Sequence, residues 1–144
     1  MRVDDIAASW MERLLRQYAG QSANFLVGTL DPFRNPIGQR FRESLHTVVE
    51  ELLGDMNPER IADALAGIME IRAVESCTPR EALSFLFELR EIAGDQVTPS
   101  RIDDVALAAF DEYVKCRERI CTAKVNEATR RLFVLKKIIA GGEA

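Results

Sequence analysis

Residues 100–140 read SRIDDVALAAFDEYVKCRERICTAKVNEATRRLFVLKKIIA, a run with neither glycine nor proline. The two residue types that interrupt helices are absent from it. Ser100 with Asp103 can cap its start, and Asp103 and Asp104 complement the positive end of the helix dipole. Lys136 and Lys137 complement the negative end, and Gly141 is placed to stop it. One helix over about 100–139 follows, roughly 58 Å long at 1.5 Å per residue. A compact chain of 144 residues has a diameter of only about 37 Å. A straight helix of this length therefore outruns its own body. Its first half carries Ile102, Val105, Phe110, Tyr113 and Val114, a set expected to pack inside. Its second half carries Val125, Ala128, Leu132, Leu135 and Ile139 at alternating spacings of three and four, a short heptad-like seam. The alternative is a bend near residues 121–126 that folds the end back onto the body.

The rest of the chain is helical by the same logic. The five prolines form the pairs Asp31-Pro32, Asn35-Pro36, Asn57-Pro58, Thr78-Pro79 and Thr98-Pro99. The residue before proline is pushed out of the helical region, and proline suits the first helical position. Each pair therefore reads as a helix start. Ile6, Trp10, Leu14 and Tyr18 mark a first helix over about 4–18, and residues 24–30 read as a short helical piece. A second runs from Pro36 to about Leu53 with Ile37, Phe41, Leu45, Val48, Val49 and Leu52 on one face, stopped by Gly54. A third carries Ile61, Leu65, Ile68 and then Arg72. The fourth opens on Thr78-Pro79-Arg80-Glu81, which has capping-box spacing. It is wet only along Glu81, Ser84, Glu88 and Glu91, so it reads as the most buried helix. No hairpin signal occurs. The fold class is all-α, one domain over residues 1–144.

Apolar residues make up 47% of the chain and charged residues 29%, a globular balance rather than a disordered one. No apolar run approaches the roughly 18 residues of a membrane span, and no secretory segment opens the chain, so membrane insertion is not expected and a cytoplasmic location is. Residues 1–114 hold 11 Arg, no Lys and 20 acids, a charge of −9. Residues 115–137 hold eight basic residues and two acids, a charge of +6. The last helix is a basic element on an acidic body. Cys77, Cys116 and Cys121 have neither disulfide-framework nor zinc spacing and read as free buried thiols.

Three segments carry a resemblance. They are DPFRNPIG at residues 31–38, IRAV at 71–74 leading into TPREALSF at 78–85, and YVKCRE at 113–118 with VNE at 125–127. Together, over about residues 5–139, they resemble the N-terminal domain of RsbRD-type proteins, the RsbT co-antagonists of the bacterial stressosome. That resemblance implies a globin-like helical bundle without haem. It also implies a dimer whose interface contains the last helix, and a sensory or regulatory role in stress response. The signal would pass along that helix to a STAS output domain, for which these 144 residues hold no counterpart. A stand-alone module would dock on another partner.

No catalytic signature, phosphate loop or metal spacing stands out, so no enzyme activity, cofactor or metal is expected. His46, the only histidine, borders the apolar stripe of its helix and is a poor haem ligand. Arg72 continues an apolar stripe, where a charge needs a partner. Either it pairs with a carboxylate such as Glu43, Glu75 or Asp111, or it lines a pocket for an anion, with Arg40 and Arg42 as helpers. Val125, Leu132, Leu135 and Ile139 are the expected dimer interface. The leading function is a homodimeric sensory or regulatory domain with an unidentified regulatory partner. The alternative is an adaptor whose basic helix binds an acidic partner or membrane-bound complex. Nucleic-acid binding is disfavoured because the acidic body would repel phosphates.

Overall fold

Proline opens four of the helices in the computed structural model, which describes residues 2–17, 36–75 and 78–142. The helices are α1 (Val3–Leu15), α2 (Pro36–Leu53), α3 (Pro58–Val74), α4 (Pro79–Phe87), α5 (Leu89–Ala93) and α6 (Pro99–Gly142), with a 3₁₀ turn at Gly94–Gln96. No strand occurs among the described residues. The chain is all-α, as expected, with a long C-terminal helix. Tyr18, the piece at 24–30, the Asp31-Pro32 start and Cys77 lie outside the described residues.

Side chains satisfy the free amides at these starts. Asn57 accepts from the amides of Glu59 and Arg60 at 3.0 and 3.3 Å, and Thr78 accepts from that of Glu81 at 3.2 Å. Thr98 accepts from the Arg101 amide at 3.3 Å, so the long helix is capped two residues before the Ser100 start read from sequence. The α2–α3 connection rests on buried Glu51, which accepts from the Asn57 amide at 2.9 Å and from Arg60 at 2.7 Å. Its left-handed residue is Met56 (φ 54°). Gly54 is needed for space instead, since a Cβ there would lie 2.9 Å from the Glu50 carbonyl oxygen.

In the packing, α3 lies between α2 and α6, α1 covers α2, and α4 packs on α6 while reaching α1 and α3. This corrects the expectation that the fourth helix is the most buried. The fourth helix is interrupted at Glu88, and Phe87 is 44% exposed beneath the Arg90 guanidinium. The central position belongs to α3, whose alanines and Gly67 let its neighbours approach closely. Trp10 ties α1 to α4. Its ring stacks on Phe85 with centroids 5.4 Å apart, and its indole N–H donates to the Phe85 carbonyl at 2.8 Å. That bond satisfies the one polar atom of a fully buried side chain. At the surface Arg13 donates to Glu91 at 2.7 Å, and this bond, helped by nearby Glu88 and Glu12, raises the guanidinium above its ordinary value.

Candidate functional site

Helix α6 has two halves with different surroundings. Ile102, Val105, Ala109, Tyr113 and Cys116 are buried against the body, at spacings of three and four. Phe110, expected inside, is 43% exposed, and Val114 is only half-buried. Their angular positions fall beside the strip that α3 and α4 cover, and Ala109 and Cys116 take the inner places. The helix leaves the body about one turn after Arg117, which donates to the Ala73 carbonyl at 3.1 Å one residue before α3 ends; Ile120 still packs against the core. From Cys121 to Gly141 every residue is exposed, and the helix is unbroken. A bend at residues 121–126 is thereby overturned: no residue there leaves the helix, and none after it regains cover.

The exposed half keeps its apolar seam. Val125, Leu132, Leu135 and Ile139 are 54–62% exposed. Phe133, Val134 and Ile138 are exposed as well and were missed by the heptad reading, although the run Leu132-Phe133-Val134-Leu135 signals an apolar band wider than one seam. Each such side chain gains about 1.5–3 kcal/mol if fully buried. With Val125, Leu132 and Ile139 at heptad position a, and Ala128 and Leu135 at d, the flanking positions hold Lys124, Thr129, Arg131 and Lys136. No acid stands at a flanking position from 122 to 138. Arg131 pairs along its own helix with Glu127 at 2.6 Å, and Lys137 lies 4.7 Å from the centre of the Phe133 ring. Cys121, at the d position preceding Val125, is exposed, contrary to the reading of buried thiols, while Cys116 is buried. The two are five residues apart on a helix and so face different surroundings.

The three arginines singled out from sequence occupy three environments. Arg72 is buried, beside the Phe85 ring. It donates to the Gln17 side chain at 2.7 Å and to the Glu81 carbonyl, which ties α3 to the end of α1 and the start of α4. Of the carboxylates considered for it, Glu43 accepts from Gln39 at 3.0 Å on an exposed face of α2, and Asp111 is exposed on α6. Arg40 is half exposed and pairs with Glu70 at 2.8 Å. Arg42 lines a groove of about 410 Å³ between α1 and α2, with Asp4, Ala7, Ala8, Met11, Glu12, Leu15 and His46. This groove carries no sequence motif, and only the small residues Ala7 and Ala8 beside a larger apolar stripe could have marked it.

His46 stands at the groove's edge with Nε2 2.8 Å from Asp4 and Nδ1 2.9 Å from Glu50. Both ring nitrogens are engaged. Among the described residues no group of three or more His, Cys, Asp or Glu is placed to hold a metal ion. No described helix is long and apolar enough to cross a membrane.

Comparison with known proteins adds three findings. The family described as the RsbT co-antagonist protein rsbRD N-terminal domain matches residues 4–101, more than half of the chain. An uncharacterised protein of Archaeoglobus fulgidus is 22% identical over 142 residues, spanning 90% of this chain and 87% of its own. No solved structure matches.

Proposed function

The chain belongs to the RsbRD N-terminal domain family of RsbT co-antagonist proteins, and from that premise we propose that it is a non-catalytic regulatory module of stress signalling, acting in the cytoplasm as a homodimer held by its last helix. The observation that carries this reading is the exposed half of α6. Twenty-one consecutive residues, 121–141, are exposed while bearing seven large apolar side chains. Exposed apolar surface of that extent calls for a partner. A two-fold pair is the commonest solution, because one patch then serves both chains. Signal transfer follows from the mechanics of the helix. One rod touches α3 and α4 in the body and continues into the proposed interface, so a shift in body packing moves the outer half with it.

The globin-like, haem-free character implied by the family resemblance belongs to the same reading. What supports the absence of haem is the engagement of both His46 nitrogens by carboxylates. A second reading, an adaptor for an acidic partner, draws on the basic flanks of the seam. Light scattering on two chains tests the first. The natural chain is expected to be dimeric at micromolar concentration. Leu132→Asp with Leu135→Asp should be monomeric with its helix content retained. A natural chain that is monomeric removes the homodimer and leaves the adaptor reading.

A further inference from the structure

We propose that the outer half of α6 seats in the α1–α2 groove of a second copy of this chain, rather than zipping against that copy's own α6. The inference rests on the homodimer reading above and names the place where the helix docks.

The first argument is electrostatic. Two outer halves laid side by side in parallel would set Arg131 of one chain against Lys136 of the other. Laid antiparallel they would set Lys124 and Arg131 against their own kind. Either way cation faces cation with no acid at a flanking position, and only Arg131 has an acidic partner, Glu127 on its own helix. The body of the second copy has the opposite sign. Residues 1–114 carry −9, and the α1 edge of the groove holds Asp4, paired with His46, and Glu12, paired with Arg16, above an apolar floor of Ala7, Met11 and Leu15, with Arg42 on the α2 edge.

The second argument is chemical fit. An amphipathic helix docking its apolar face in an apolar groove is a common recognition mode. The groove's volume of about 410 Å³ lies in the range that binds compact apolar groups. Ala8, exposed at its rim, leaves room for larger side chains from the partner.

The third argument is position. Gln17 bonds Arg72, Arg40 bonds Glu70, and Arg117 bonds the Ala73 carbonyl. These contacts bring the end of α1, the first half of α2, the end of α3 and the departure point of α6 to one end of the body. The groove's Leu15 and Arg42 lie at that same end. Two bodies facing each other end to end therefore direct each outer helix, about 30 Å long, along the partner's surface where the groove opens. The exchange is reciprocal and closes as a two-fold pair.

All four lysines of the chain lie on α6, three of them beyond residue 120. Zero-length carbodiimide coupling of amines to carboxylates therefore reports where the outer helix sits. The full chain is used, as an equal mixture of ¹⁴N- and ¹⁵N-labelled protein, so that links between chains are recognised by mass. The expected links run from Lys124, Lys136 or Lys137 of one chain to Asp4 or Glu12 of the other. In parallel, Ala8→Arg, at an exposed helical position, should weaken the dimer at least roughly tenfold by placing like charge in the seat. Links confined to Glu118 or Glu127 of the partner, with Ala8→Arg as dimeric as the natural chain, would overturn the groove while leaving the homodimer standing. A natural chain that stays monomeric would overturn both.

Discussion

The two halves of α6 are alike in sequence character and opposite in circumstance. Both repeat apolar residues at spacings of three and four, neither has a glycine or proline between residues 100 and 140, and both are helical. Yet Ile102 is 1% exposed and Ile139 is 62% exposed. The difference lies in the neighbours. Helix α3 ends at Val74, beside the Arg117 contact; Ile120 still packs against the core, and every residue from Cys121 to Gly141 is exposed. Periodicity states which face of a helix is apolar, whereas the length of its neighbours decides whether that face is covered.

The largest expected effect breaks or upholds this contrast directly. Ile102→Ala should cost about 2–5 kcal/mol, the range for truncating a buried isoleucine. Ile139→Ala should stay within about 0.5 kcal/mol in the monomer. Urea unfolding at a concentration below that of the dimer measures both, and equal losses would show that the outer half is covered by its own body. Next comes Arg72→Ala, expected to cost about 1.5–3 kcal/mol for the loss of charged hydrogen bonds in a buried setting. A change at the level of a surface site would mean that its bonds to Gln17 and Glu81 do not hold the inner half's supports together. The smallest effect sharpens the picture at the start of the helix. Thr98→Ala should cost about 1 kcal/mol through the lost cap, whereas Ser100→Ala should cost almost nothing, as the cap bond places the start at Thr98.

Much of this architecture was legible because proline and capping residues act locally. The pairs before Pro36, Pro58, Pro79 and Pro99 each mark a helix that begins on the proline itself. The length of the last helix needed only the absence of breakers, and its seam only the spacing of Val125, Leu132, Leu135 and Ile139. What was not legible depends on which element meets which. The central role of α3 arises from small residues meeting two neighbours at once, and Phe87 is exposed because the fourth helix breaks at Glu88. Arg72 could be singled out as a charge on an apolar stripe, but Gln17 and Glu81, to which it donates, come from the turn after α1 and from α4. Nothing in the sequence sets Glu51 apart from neighbouring Glu50; the turn around Met56 brings Asn57 and Arg60 to it. The α1–α2 groove exists only in three dimensions.

The central claim is that the inner half of α6 is held by its own chain and the outer half by another. Amide hydrogen exchange followed at a series of protein concentrations measures that claim directly. Residues 100–120 should be protected equally at every concentration. Residues 121–141 should exchange rapidly at high dilution, because a lone exposed helical segment frays, and become protected as the dimer forms. Protection of the outer half that is already full at the lowest concentration, or that never appears at the highest, would contradict the account.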